Sequence, residues 1–180
     1  MKDLREQVKN AISGLRLEKL KKLYSENPEQ VKQLLQIEDF STCQWNYTAL
    51  FWCIIPCFRR DEVSHLKSLE IMKWIYQNVD DPEKLLKDRT TSGATVLHWA
   101  GFLNHLEAAK WLCEKRPAMV FEKDMNGQVA MNYIINNWCV EVFGWMYSCY
   151  PNVMLIKDNA GRTVRECLIE SYKNPFESKK

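Results

Sequence analysis

The stretch TTSGATVLHWAGFLNHLEAAKWLCEKRPAMVFEK, residues 90–123, decides the fold. It contains a turn at Gly93, an apolar helical stripe that follows Thr95, and a second helical segment that stops before Pro117. A Thr at a helix start can cap free backbone N–H groups, and apolar residues three and four positions apart predict a helix. The stretch therefore predicts two short helices behind a glycine turn.

The same pattern recurs with a period of 34 residues. The markers in the turn are Gly93, Gly127 and Gly161, with Asp124 and Asp158 ahead of the last two. Copies of the second helical segment are Leu17–Lys22, Leu69–Trp74, Leu106–Trp111 and Val140–Trp145. Pro28, Pro117 and Pro151 follow at matching distances, and we expect them to end the second helices. Since independent markers share one frame, the chain is predicted to be a repeat array.

The third repeat resembles the ankyrin repeat, through the pattern D-x-x-G-x-T-x-L-H-x-A followed by N-H-L-E-x-x-K-x-L. The matching residues are Gly93, Thr95, Leu97, His98, Ala100, His105 and Leu106. The fourth repeat departs from the pattern, with Val129–Asn132 where the family has T-P-L-H. The resemblance implies an all-α solenoid of helix-turn-helix repeats. The tetratricopeptide repeat has the same period, but its W-x2-L-G-x2-Y signature is missing.

We predict a single ankyrin-repeat domain over residues 1–180. Its parts are an N-terminal cap repeat (1–42), a second repeat with an insertion (43–89), repeats three (90–123) and four (124–157), a C-terminal half-repeat cap (158–173) and a tail (174–180). Insertions at 34–42 and 56–67 break the period, and insertions in repeat proteins are expected to form surface loops. Such loops either contribute to a working face or have no role.

Each second helix shows a main apolar stripe, and the last three copies show a second one nearly opposite, as expected for a helix sandwiched between neighbours. The main stripe is Leu17, Leu20, Leu23 and Tyr24; Leu69, Met72, Ile75 and Tyr76; Leu106, Ala109, Leu112 and Cys113; and Val140, Phe143, Met146 and Tyr147. The second stripe is Ile71 and Trp74, Ala108 and Trp111, and Val142 and Trp145. Lys19 and Lys22 replace it in the first copy, which indicates a cap. With Trp52 and Trp99, five of the seven tryptophans are predicted to be core.

Composition narrows the function classes. The chain has 25 basic and 23 acidic residues, a net charge of +2, which does not favour nucleic acid as a partner. No signal peptide and no apolar run of membrane-spanning length is visible, so direct membrane insertion is not expected. The seven cysteines form no framework and predict reduced thiols. We therefore expect an intracellular protein, with the cytoplasm favoured over an organellar accessory role.

No catalytic constellation stands out, so we expect no enzyme, no cofactor and no metal site. In the family, histidines at the positions of His98 and His105 bond backbone and link neighbouring loops. Cys53, Cys57 and His65 are the remote exception, because cysteines four positions apart share a helix face. They are short of the four ligands of a structural zinc site.

The resemblance implies binding of another protein on a concave face formed by loop tips and first helices. The candidate residues are Gln44, Trp45, Tyr47, Phe102, Leu103, Met125, Asn126, Asn136, Asn137, Asn159 and Arg162. The apolar pair Phe102 and Leu103 stands at commonly polar positions, which indicates either a partner contact or packing under a neighbouring loop. We expect a scaffold or accessory subunit, within a hetero-oligomer. The alternative is a regulator or inhibitor of an enzyme or transcription factor.

Overall fold

The computed structural model describes residues 2–36, 48–59 and 61–173. These residues form helices and turns, and their only β-type pairing is an isolated antiparallel bridge between Lys157 and Thr163. The all-α prediction is confirmed. The chain divides into two compact units, Met1–Thr91 and Ser92–Lys180.

Within residues 2–36, 48–59 and 61–91, the first unit contains six α-helices and one 3-10 helix. They are α1 (Lys2–Ser13), α2 (Leu17–Glu26), α3 (Pro28–Leu35), α4 (Ala49–Ile54), the 3-10 helix Ile55–Arg59, α5 (Glu62–Asn78) and α6 (Pro82–Lys87). Helix α1 packs against α2, α3 and α4, while α5 packs against α2, α4 and α6. Ile12, Leu20, Phe51, Met72 and Ile75 are fully buried in this unit.

The second unit shows the 34-residue period in three dimensions. Its elements are α7 (Val96–Phe102), α8 (Leu106–Lys115), the 3-10 helix Pro117–Phe121, α9 (Ala130–Asn136), α10 (Val140–Cys149), the 3-10 helix Pro151–Leu155 and α11 (Val164–Lys173). The first helices α7, α9 and α11 pack in that order, and α8 packs beside α10.

The first helices of this unit start with one hydrogen-bond arrangement made by three different side chains. In each helix, the side chain three residues after the N-cap residue accepts a hydrogen bond from the backbone N–H of the N-cap residue. His98 Nδ1 accepts from Thr95 at 3.1 Å, Asn132 Oδ1 accepts from Val129 at 3.0 Å, and Glu166 Oε2 accepts from Thr163 at 2.6 Å. The degraded motif of the fourth repeat thus retains its local structure.

Three helix pairs, α1–α2, α7–α8 and α9–α10, are each joined by a tight turn with one residue in the left-handed region. Asn104 has φ +57°, and the N–H of His105 donates to the carbonyl of Ala100 at 2.9 Å. The same geometry recurs with φ +55° at Trp138, and in the first unit with φ +51° at Leu15. Because this conformation is uncommon for residues other than Gly, Asn and Asp, the sequence does not predict it at Leu15 and Trp138.

The prolines occupy a different position from the one predicted. Pro28, Pro82, Pro117 and Pro151 do not simply end the second helices; each begins a further short helix. Proline suits the first helical position because it has no N–H to leave unpaired and its φ is already helical.

The predicted stripes hold in most second helices. Ile71, Ala108 and Val142 are fully buried, while Lys19 and Lys22 are exposed. The main stripe fails at α10, where Val140 is 73% exposed and Tyr147 is 44% exposed.

The prediction that five tryptophans are core is too strong. Trp111 is 7% exposed, whereas the other four are half-buried, namely Trp52, Trp74, Trp99 and Trp145. They still contact neighbours, as in the edge-to-face pair of Trp74 and Tyr24, whose ring centroids are 5.2 Å apart. An indole ring is so large that it is rarely buried completely, even where a smaller residue next to it is fully buried.

The described part of the 56–67 insertion is helical except at Asp61, which corrects the loop prediction. Residues 62–67 are the first turns of α5, and this helix has 17 residues, against 10 in α2, α8 and α10. Asp61 starts the extension, because its carboxylate accepts from the backbone N–H of Ser64 at 2.8 Å. Hydrogen bonds from the Ser64 side chain and backbone hold the pKa of Asp61 below its usual value. Most of the 34–42 insertion lies outside the described residues.

We predict that Trp111→Ala lowers the free energy of unfolding by roughly 3–5 kcal/mol, as for other large core truncations. Lys22→Ala is the control and should change little, since its side chain is 75% exposed and its nearest carboxylate, Glu26, is 3.9 Å away. Urea unfolding followed by circular dichroism measures both. If both variants lost the same free energy of unfolding, the burial of Trp111 in α8 and the exposure of Lys22 in α2 would be contradicted.

Candidate partner-binding surface

The loop between α8 and α9 is built on one carboxylate. Asp124 Oδ1 accepts from the backbone N–H groups of Asn126 and Gln128, both at 2.8 Å. Its Oδ2 accepts from the Tyr133 hydroxyl at 2.9 Å. Burial and this hydrogen bond raise the pKa of Tyr133 well above its usual value, so the phenol stays a donor. Gly127 closes the turn at φ +74°.

The loop between α10 and α11 repeats this construction. Asp158 Oδ1 accepts from the N–H groups of Ala160 at 2.9 Å and Arg162 at 3.0 Å. The Arg162 guanidinium, 2.8 Å from Oδ2, takes the place of the tyrosine. Burial opposes ionisation of Asp158, but these donors and the positive charge hold its pKa below its ordinary value.

Successive loops are joined by hydrogen bonds that keep the 34-residue register. The N–H of Met125 donates to the carbonyl of Ser92 at 2.9 Å, and the N–H of Asn159 donates to that of Asn126 at 2.9 Å. The Asn159 side chain also donates to the Met125 carbonyl at 2.8 Å. A second link passes through His98. Because its Nδ1 accepts from Thr95, its Nε2 carries the proton and donates to the carbonyl of Gln128 at 3.1 Å.

The structure brings four of the predicted residues together on these loops. We call Met125, Asn126, Asn159 and Arg162 the loop row. Met125 is 69% exposed, and the other three are also exposed. The row combines one apolar side chain with amide groups and a guanidinium on a backbone that is hydrogen-bonded from loop to loop. Such a surface can contact a partner without first having to become ordered.

The two predicted residues at the end of α7, Phe102 and Leu103, are less exposed than the loop row. Leu103 is only 1% exposed, so it belongs to the core and not to a partner surface. It lies in the tight turn between α7 and α8, where the reversal of the chain places it inside the helix pair. Phe102 is half-buried, with its ring centroid 5.6 Å from that of Trp99. These two positions therefore favour packing over the exposed partner contact.

The remaining candidates are two asparagines and three residues of the second repeat. Asn136 is exposed, whereas Asn137 is half-buried and donates to the carbonyl of Tyr133 at 2.9 Å. Gln44, Trp45 and Tyr47 lie outside the described residues.

The structure also exposes a second group of apolar residues in this unit, none of which is among the predicted binding residues. Its members are Trp138, Val140, Tyr147, Ile169 and Tyr172, all at least 40% exposed. Sequence reasoning did not indicate Tyr147 because it matches Cys113, which is buried in the preceding repeat.

The cysteines of the remote metal hypothesis are buried thiols bonded to backbone. Cys53 Sγ donates to the carbonyl of Ala49 at 3.2 Å, and Cys57 Sγ donates to that of Ser64 at 3.6 Å. Burial raises the pKa of Cys53 well above its usual value and that of Cys57 to about 11. Across the described ranges, no group of three or more histidine, cysteine, aspartate and glutamate residues is placed to hold a metal ion.

No protein-family model matches this sequence, and no curated protein matches it. Solved structures do match. The chain is similar to a chain of the crystal structure of the yeast ribosomal protein Rps3 in complex with its chaperone Yar1, with a TM-score of 0.64. The two chains are 19% identical, and the match covers 82% of this chain and 93% of that chain. This likeness shows a shared fold.

None of the helices in the described residues has the length and apolar character needed to cross a membrane.

We predict that Gly127→Ala is more destabilising than Gly161→Ala. Both glycines have positive φ, +74° and +80°, so both substitutions carry the left-handed strain of about 1–2 kcal/mol. A Cβ on Gly127 would also lie 2.6 Å from the backbone nitrogen of Asn159, whereas nothing lies within 4 Å at Gly161. Urea unfolding of the two variants measures the difference. Equal losses would mean that the two loops do not support each other.

We predict that iodoacetamide at neutral pH alkylates the exposed Cys149 well before Cys53 and Cys57. Thiolate is the reactive form, and burial and a raised pKa both suppress it at the latter two sites. Peptide mapping by mass spectrometry follows each site, with urea-unfolded protein as the reference. Fast labelling of Cys53 or Cys57 in the folded protein would contradict their buried placement.

Proposed function

We propose that this chain is a non-enzymatic protein-binding module of the ankyrin-repeat type, acting as a scaffold or accessory subunit within a larger assembly. The loop row is the observation that carries the proposal. It presents Met125, Asn126, Asn159 and Arg162 on loops that are hydrogen-bonded to one another, and their regular spacing offers a partner an extended, pre-organised surface.

Several observations support the family assignment. The turn glycines, the His98 bridge between loops and the 34-residue register of Asp124 and Asp158 agree with the motif in the sequence. The fold is shared with a chain from a crystal structure of a ribosomal protein in complex with its chaperone. In the same proposal, the partner is another protein contacted on a concave face, and the cytoplasm is the favoured compartment.

That complex also favours a second candidate function, a dedicated chaperone of one partner protein. Scaffold and chaperone use the same loop row and differ in how long the partner stays bound. A regulator or inhibitor remains the alternative that the sequence raised.

We predict that Met125→Asp abolishes partner capture and leaves the helical content unchanged. The substitution places a charge at the centre of the loop row, where an exposed methionine is expected to be desolvated on binding. The measurement is quantitative mass spectrometry of chains that co-purify with tagged protein from the source cells. Leu155→Asp is the matched control, since Leu155 is 64% exposed but lies in the 3-10 helix Pro151–Leu155.

A partner retained at wild-type level by Met125→Asp would contradict a site on the loop row. The same purification after pulse labelling separates the two functions. A scaffold keeps its labelled partner throughout the chase, whereas a chaperone loses it as the partner matures.

A further inference from the structure

Two buried histidines hold the starts of the neighbouring helices α7 and α8. His98 is 0% exposed, and its Nδ1 accepts from the backbone N–H of Thr95 at 3.1 Å, at the start of α7. His105 is 1% exposed, and its Nδ1 accepts from the backbone N–H of Ala108 at 3.2 Å, at the start of α8. Both imidazoles are therefore neutral in the folded protein, because a protonated ring has no nitrogen left to accept a hydrogen bond.

Protonation opposes the local structure at both helix starts. A proton on Nδ1 faces the backbone N–H that the ring nitrogen previously accepted, so the N–H groups of Thr95 and Ala108 lose their acceptors. The Thr95 hydroxyl, 2.8 Å from Nδ1 of His98, is able to turn and accept from the charged ring, but the backbone N–H cannot turn. Burial adds a further cost, since desolvation disfavours the charged form of an imidazole.

The element packed against α7 beside His98 brings a phenol and, beyond it, a carboxylate. Helix α9 places the Tyr133 ring edge-on to the imidazole, with ring centroids 5.0 Å apart. The Tyr133 hydroxyl donates to Asp124 Oδ2 at 2.9 Å, and Asp124 Oδ1 accepts two backbone N–H groups. The second ring nitrogen of His98 donates to the neutral carbonyl of Gln128 at 3.1 Å. The negative charge of Asp124 is thus engaged by three donors of its own.

The charged side chains of α8 and α10 are at the surface and have partners there. In α7 itself, His98 is the only ionisable residue. The surface groups pair as follows: Glu107 with Lys110, Glu114 with Lys115, and Glu141 with Asn104. Burial raises the pKa of Cys113 in α8 to about 12, so this thiol stays neutral. Because exposed pairs are screened by solvent, they compensate little for a charge buried at His105.

The equivalent helix starts in the rest of the second unit do not depend on an imidazole. The amide of Asn132 holds the start of α9, and Cys139 makes no side-chain cap bond at the start of α10. Glu166 holds the start of α11, and hydrogen bonds from Thr163 keep its pKa below the usual value. The third histidine of the chain, His65, lies in α5 of the first unit. Sensitivity to protons near pH 6 is therefore concentrated in α7 and α8.

We propose that the pair of helices α7 and α8 is a proton-sensitive element, which opens more readily as the pH falls from 7.5 to 5.5. The unfolded chain takes up protons at His98 and His105 below the ordinary imidazole pKa of about 6.5. The folded chain takes them up only by losing the bonds that start the two helices. The stability that the neutral histidines contribute is therefore complete above about pH 7 and is lost as the pH falls below about 6.5.

Opening of this element also reaches the next loop. The carbonyl of Gln128 loses the donor that His98 provides, and the N–H of Met125 loses its acceptor at Ser92. The loop that carries Met125 and Asn126 is then no longer held from the preceding repeat. The proton-sensitive element belongs to the fold and does not depend on what the loop row binds.

Urea unfolding of the full chain at pH 7.5 and pH 5.5, followed by circular dichroism, tests the proposal. Each neutral buried histidine is expected to raise the unfolding constant roughly tenfold over this interval, so the two together raise it roughly a hundredfold. His98→Asn and His105→Asn keep an acceptor at each helix start, as Asn132 does at α9, but do not titrate. Each single variant should lose about tenfold of the pH effect, and the double variant should lose most of it.

His65→Asn is the matched control and should retain the pH effect, since it leaves both Nδ1 acceptors in place. A second measurement needs no variant: ¹⁵N NMR of the folded wild-type chain should show the His98 and His105 rings still neutral at pH 5.5. A wild-type unfolding constant that changes by less than about threefold would overturn the proposal. So would a double variant that keeps the whole pH effect, or titration of either ring near pH 6.5 in the folded chain.

Discussion

A carboxylate that accepts two backbone N–H groups is the interaction on which the second unit depends. Asp124 closes one loop in this way and Asp158 closes the next. The turn glycine then allows the backbone to reverse, and the exposed N–H groups at the tips reach the carbonyls of the preceding loop. Because each loop is positioned by the one before it, the spacing of the helices and of the exposed side chains follows from this turn.

The first helices show how far such a structure tolerates changes in sequence. His98, Asn132 and Glu166 differ in size and charge, yet each accepts a hydrogen bond from its N-cap residue at the same repeat position. The fold therefore requires a side chain that accepts a hydrogen bond at this position, and not one particular residue type. Only His98 has a second ring nitrogen that reaches the next loop, through Gln128, so the bond between loops is lost where the imidazole is replaced.

Two surfaces of the second unit differ in character and therefore suit different contacts. The loop row is mainly polar and is held by hydrogen bonds from loop to loop, which favours a specific contact with a preformed partner surface. The exposed side of α10, with Val140 and Tyr147, is apolar and belongs to a helix.

The sequence alone determined the helical class, the 34-residue frame and the buried stripe of Ile71, Ala108 and Val142, because these depend on local periodicity. It also located the loop tips, since Asp and Gly at fixed spacing have a local conformational role. Only the tertiary structure decided which apolar residues are covered. Leu103 is buried by a chain reversal, whereas Val140 is exposed because no helix of the described residues covers its side of α10. Burial depends on the neighbour that a residue meets, and a periodic pattern gives equivalent positions the same prediction whether or not that neighbour is there.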